Sequence, residues 1–350
     1  MRVVKHLSIS KETVTFFFVA LIVALIVGNR GNTRDTIVYL SIFKNIDNLD
    51  LLNPIKFYLF TGMEIGFGWY CYVINLITHS HIILFTIFSL FTFLIIYLIS
   101  KKINVTLLPV LLLYISTGYF LLQQFMQIRQ GFATPLALYA LTIFILENNK
   151  FSIKFLLLTL LSFSFHQVAL PIVLIGIILS LILKRINMSI YKFKWLSVVI
   201  FMIFIFIAKF VLVNLLTSIS SRVEVYSSSA EYAENIGVFR LPNIKAFFTF
   251  LFILFFMNEK MYRNKLFTIF FLLFIVGVAF RIGFSDFAIL SGRFATAFSF
   301  SEIFILPFAF YRFKYFNHLF LILFVIAQAI ATYMFQAPFV IDDYFKPLSL

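Results

Sequence analysis

The sequence predicts an all-α, polytopic integral membrane helix bundle, and three observations carry that prediction. Of the 350 residues, 62% are hydrophobic and only 12% are charged, with a mean hydropathy of +1.04; such a chain cannot cover itself with a water-compatible surface. Apolar runs near the ~20 residues that cross a hydrocarbon core recur along the whole length. Hydrophobicity within these runs does not alternate, as the strands of a transmembrane barrel would require. No separate soluble domain is visible, so residues 1–350 are expected to form a single membrane domain.

Charges divide the apolar sequence into about eleven spans: 13–28, 80–99, 104–121, 131–146, 153–166, 168–183, 195–216, 243–257, 266–282, 295–310 and 317–336. The first is followed by polar sequence rather than by a small-residue cleavage site, which marks a retained helix and not a removed signal peptide. With the N-terminus in the cytoplasm, the inside loops hold sixteen of the 28 basic residues, among them Lys101, Lys150, Lys192 and Lys260, against three of the 14 acids. Twelve basic residues and 11 acids are left for the membrane and the outer side, as the positive-inside rule expects. The formal charge of +14 is therefore mostly topology. Basic residues spread over many short loops do not make a nucleic-acid surface, and no nucleic-acid partner is expected.

Two long loops, about 29–79 and 217–241, fall outside under this topology. So do the chemically capable side chains. Arg34, Asp35, Tyr39 and Glu64 lie in the first outer loop, Arg129 and Gln130 at the outer end of the fourth span, and His166 in the turn after the fifth. Arg281 and Arg293 bracket the turn after the ninth. The one cysteine, Cys71, supports neither a disulfide nor a thiolate cluster, and no HExxH or P-loop spacing occurs. No metal and no cofactor is expected. His79 and His81 in THSHI read as interfacial polar residues, and Lys209 is the clearest candidate for a charge deep in a span.

The stretch QQFMQIRQGFATPLAL, 123–138, is unusual in such a chain. On a continuous helix Gln123, Gln127, Gln130 and Thr134 share one face, with Arg129 on its flank. Amides and a guanidinium on a helix edge predict a wet cavity, because lipid offers them no partners. Pro135 cannot donate to the Gly131 carbonyl, so a kink or break is expected there, and broken helices at membrane depth commonly line a ligand site. A bland alternative has Arg129 snorkelling to the headgroups.

Four segments, RDTIVYLSIF, MEIGFGWYCYVINLI, IRQGFATPLALYAL and LSFSFHQVALPIVL, resemble the EpsG-like branch of the Wzy-type polysaccharide polymerases. The resemblance runs from about Arg34 to Leu183 and returns weakly around FRIGFSDFAILSGRFATAF. It implies a multi-pass protein of the bacterial inner membrane that joins undecaprenyl-pyrophosphate-linked oligosaccharide repeat units at the periplasmic face. A chain-length regulator and a flippase of the same pathway are the expected protein partners. On this reading Arg34, Tyr39, Arg129, Gln130, Arg281 and Arg293 bind substrate. His166, Asp35 and Glu64 are the candidate catalytic groups. The leaving group is a dianionic diphosphate, which calls for cations and donors where charge develops, and arginine supplies both through its planar fork. The acceptor hydroxyl must lose a proton to a base.

Each catalytic candidate also has a structural role open to it: a turn histidine bonded to backbone for His166, a helix cap near Gly66 for Glu64, a solvated loop pair for Arg34 and Asp35. Two other function classes share the composition. A lipid-linked saccharide flippase or other transporter should carry charges deep in several spans; an O-antigen ligase or membrane acyltransferase would use the same outer face.

Overall fold

The computed structural model describes residues 10–186, 188–215 and 237–348. Among these the chain is helical throughout, with no strand. Six helices are long and apolar enough to cross a membrane, or seven if one sharply bent pair is a single span. They include α1 (Lys11–Gly28), α5 (His81–Ile103), α8 (Ile128–Leu146) and α14 (Lys265–Gly283). The helix α9 (Ile153–Phe165) and the helix α12 (Leu241–Phe256) are apolar but shorter.

Packing identifies the centre of the bundle. Of the most apolar window, 94% of α8 and 89% of α14 is buried inside the protein, whereas the run 190–215 that opens with α11 (Ile190–Phe206) is 17% buried. A helix surrounded by protein need not be apolar on every face, which is why Arg129, Gln130 and Thr134 are tolerated on α8 in a membrane chain. Around α8 stand α5, α9 and α10 (Ala169–Arg185), while α14 is flanked by α11, α12 and α15 (Ala288–Ser299).

The 29–79 region is no open loop. It folds into α2 (Thr36–Lys44), α3 (Pro54–Thr61) and α4 (Ile65–Asn75), and Asn53 caps α3 through its side chain. Gly66 lets α4 press on α9: a Cβ there would stand 2.5 Å from Ser164 Oγ and 2.7 Å from the Ser164 carbonyl oxygen. Of the other long outer loop, 217–241, nearly all lies outside the described residues. The last helix, α18 (Pro338–Tyr344), returns to the first: the Gly31 and Asn32 amides donate to the carbonyls of Tyr344 and Lys346 at 2.9 and 3.0 Å.

Two expectations about the glutamine stretch are corrected. The helix does not break at Pro135; α8 runs through it from Ile128 to Leu146. Protein surrounds that segment, so the helix continues although the proline amide is missing from its hydrogen bonds. The breaks come earlier. The helix α6 (Leu107–Ser116) meets α7 (Gly118–Phe125) at 75°, and the chain turns again at Gln127, whose φ of −95° and ψ of 53° are not helical. Gln123 therefore sits on α7 and Gln130 and Thr134 on α8, not on one helix. The two helices cross so closely at Gly131 that a Cβ there would lie 2.5 Å from the Gln123 carbonyl oxygen.

Candidate functional site

Two ends of the bundle differ in chemistry. Beyond the C-terminal end of α8, Asn148, Asn149, Lys184, Arg263 and Lys265 line one cavity. At the opposite end of α8 the predicted site residues gather.

Arg129, the second residue of α8, forms an ion pair with Glu64. Both side chains are largely buried, at 16% and 12% exposure. The other Glu64 oxygen accepts the Gln167 amide at 3.2 Å. Glu64 precedes α4 without capping it, so the capping role is overturned: a buried guanidinium outcompetes the helix end for the carboxylate. The Arg129 charge also acts on the hydroxyl of Tyr39, which donates to the Met126 carbonyl at 2.9 Å. A guanidinium engaged this way is not snorkelling. Through Glu64 it ties the 29–79 segment, the α7–α8 corner and the turn after α9 together.

Asp35, half-buried at the start of α2, makes no side-chain cap. Burial holds its carboxyl above the ordinary carboxylate range, and the charges of Arg293, Arg129 and Arg34 pull it back down. Arg34 is exposed and stacks its guanidinium 4.7 Å over the Phe339 ring of α18. Gln130 is fully buried, donating to the Arg293 carbonyl at 2.9 Å and to Thr296 Oγ1 at 3.1 Å. It fixes α15, which carries Arg293, against α8. His166 follows α9 in the turn before α10, and its Nδ1 accepts the Val168 amide at 3.2 Å. Burial, with Arg129 and Arg293 nearby, pushes its pKa down to about 3, so the imidazole is neutral and a weak base.

Several buried polar atoms here have no partner within the protein: both side-chain polar atoms of Gln123, Gln127 Oε1, Arg129 Nε, Gln130 Oε1 and Thr134 Oγ1. Leaving one such group dry costs about 1–3 kcal/mol. They concentrate around the α7–α8 corner, and none of these five residues lines a cavity among the described residues.

Arg281 stands apart from the other arginines, in the last turn of α14. Its ionisable neighbours are Glu302 and the neutral phenol of Tyr119. Glu302, 1% exposed, opens α16 (Glu302–Phe310), accepts the Tyr119 hydroxyl at 2.8 Å and pairs with Lys245 of α12. Lys245, Arg281, Tyr119 and Thr296 line a cavity of about 150 Å³ that also reaches Phe339. The two centres thus adjoin, since Phe339 carries Arg34 and Thr296 holds Gln130. Sequence reasoning missed Lys245 and Glu302. The signal was present, because both are ionisable residues inside predicted spans. Lys209, expected to be the deepest charge, is half-exposed and 3.9 Å from Asp286. Arg30 was also missed: it is buried, with its guanidinium 3.9 Å over the Phe85 ring. His79 bonds Asn75 at 2.7 Å. Among the described residues no group of three or more histidine, cysteine or acidic side chains is placed to hold a metal.

These features define a class: a multi-pass membrane protein with arginines and carboxylates converging at one end of its helix bundle. The profile of the EpsG family matches residues 13–350, and the chain belongs to that family, the Wzy-like polymerase family. No curated protein and no solved structure matches the chain.

Proposed function

We propose that this protein polymerises polysaccharide by glycosyl transfer between undecaprenyl-pyrophosphate-linked oligosaccharide repeat units, at the periplasmic face of the bacterial inner membrane. The observation that carries the reading is Asp35 set among Arg34, Arg129 and Arg293, cations from three separate elements. In the reaction, an acceptor sugar hydroxyl attacks the anomeric carbon of the donor chain. The new glycosidic C–O bond forms as the bond to the lipid diphosphate breaks. The hydroxyl proton passes to Asp35, and the departing diphosphate keeps the bonding electrons under the arginine charges.

Three bases were open on sequence, and the geometry favours Asp35. Glu64 already spends its oxygens on Arg129 and the Gln167 amide, and His166 spends Nδ1 on the Val168 amide. Their part in the proposal is to hold Arg129 and the turn in place. No nucleotide is needed, because the pyrophosphate linkage already carries the activation.

Purified protein given synthetic lipid-pyrophosphate repeat units should make a ladder of polymer with release of lipid diphosphate. Translocation of intact units across proteoliposomes without polymer would instead identify a flippase. Transfer of glycan to lipid A core, or of an acyl group, would identify a ligase or an acyltransferase.

A further inference from the structure

Lys245 borders two cavities of opposite character. One is the 150 Å³ pocket with Arg281, Thr117, Thr296 and Gln336. The other is a groove of about 580 Å³ lined by Phe248, Phe252, Phe255 and Phe256 of α12 with Phe310 and Phe324. On α12 the positions 245, 248, 252, 255 and 256 recur at helical spacing along one face. Phe248 and Phe255 are 63% and 77% exposed, so the groove opens toward lipid.

From Lys245 to Phe256 the helix rises about 16 Å, close to half of the roughly 30 Å hydrocarbon core. The groove therefore has the depth of one leaflet, with its polar end at the candidate site. We infer that it holds the hydrocarbon chain of a polyprenyl diphosphate, whose headgroup enters the Lys245–Arg281 cavity. The inference rests on the polymerase reading and deepens it by placing the lipid carrier. Charge supports this occupant: two cations, Lys245 and Arg281, share the single carboxylate of Glu302, and hydroxyl and amide groups complete the lining. The lysine stem lies along apolar surface while its ammonium reaches the polar side. A single groove fits a single-chain lipid, whereas a phospholipid brings two tails.

The test is photocrosslinking in detergent or nanodiscs, with p-benzoylphenylalanine replacing exposed Phe248 or Phe255 and labelled polyprenyl diphosphate as probe. Both positions should be labelled, and excess unlabelled polyprenyl diphosphate should compete. Lys245→Ala should weaken labelling about tenfold or more, the scale of losing one charge-assisted contact, and Lys245→Arg should restore most of it. Labelled neutral polyprenol should react weakly and indifferently to these substitutions. Equal labelling by neutral polyprenol or by phosphatidylglycerol would overturn the inference, the groove then being ordinary lipid contact. Equal labelling by the diphosphate in Lys245→Ala would do the same. Polymer formation without crosslinking at either position defeats this inference and leaves the polymerase reading intact. Specific crosslinking without polymer does the reverse.

Discussion

Asp35 and Arg129 are the two side chains on which the chemistry turns, and they are predicted to fail differently. Asp35→Asn should keep affinity for lipid diphosphate and lower turnover by roughly 10²–10⁴-fold, measured as polymer formed against substrate bound. Arg129→Ala should lose both binding and turnover while still inserting, and it leaves Glu64 buried without its cation. Arg129→Lys should recover little, because a point charge lacks the planar fork that can hold the Glu64 carboxylate and phosphate oxygens together. His166→Ala should remain a polymerase, its imidazole being a weak base already bonded to backbone. A further expectation is the acid limb of the rate profile. Burial raises Asp35, so activity should disappear on acidification at a pH above the ordinary carboxylate range. Arg293 lowers that same pKa, so Arg293→Ala should move the limb to still higher pH. A limb that stays in place would show that Asp35 is not the titrating base.

The elements that carry these residues are positioned by close helix crossings. Gly131 and Gly66 are the points of contact: a Cβ at Gly131 would meet the Gln123 backbone first, and one at Gly66 would meet both the hydroxyl and the backbone carbonyl of Ser164. Gly131→Ala should force α7 away from α8 and cost about 1–3 kcal/mol, read as a lower thermal midpoint in detergent together with lost activity. Pro135→Ala should be mild, since the helix runs through that position and its neighbours confine it. An unchanged midpoint in Gly131→Ala would mean that the α7–α8 corner is not tightly packed in the membrane. The same crossings explain why the polar face was mislocated from sequence. A 3.6-residue period puts Gln123, Gln127, Gln130 and Thr134 on one stripe only if the helix is continuous. The turn at Gln127 instead divides them between α7 and α8, which touch where the Gln123 backbone lies against Gly131.

At the scale of the whole molecule, the residues expected in the cytoplasm and those expected outside lie at opposite ends of α8. Arg129 is its second residue, while Lys150 follows its last turn and Lys184 and Lys265 come up beside it. Cysteines placed at Lys101, Lys150, Lys192 and Lys260 should react with impermeant thiol reagents only after the membrane is opened. Cysteines in 29–79 should react from outside in intact spheroplasts. The reverse pattern would put the site on the cytoplasmic face, where the donor proposed here is not presented.

Composition alone determined that this chain is a helical membrane protein, because 62% apolar residues leave no soluble solution. Short motifs pointed to the EpsG family, and the polar residues Arg34, Asp35, Glu64, Arg129 and His166 stood out because lipid cannot satisfy them. Which of them meet was decided only by the tertiary structure. The Arg129–Glu64 pair joins residues 65 positions apart, and Lys245–Glu302 joins residues 57 apart. No local periodicity encodes those distances; they follow from how the helices stack. The division of labour among the acids is likewise tertiary, since Glu64 is neutralised by its partner while Asp35 stays half-buried among cations. A residue's type sets what chemistry it is able to do, and its neighbours set whether that capacity is already spent.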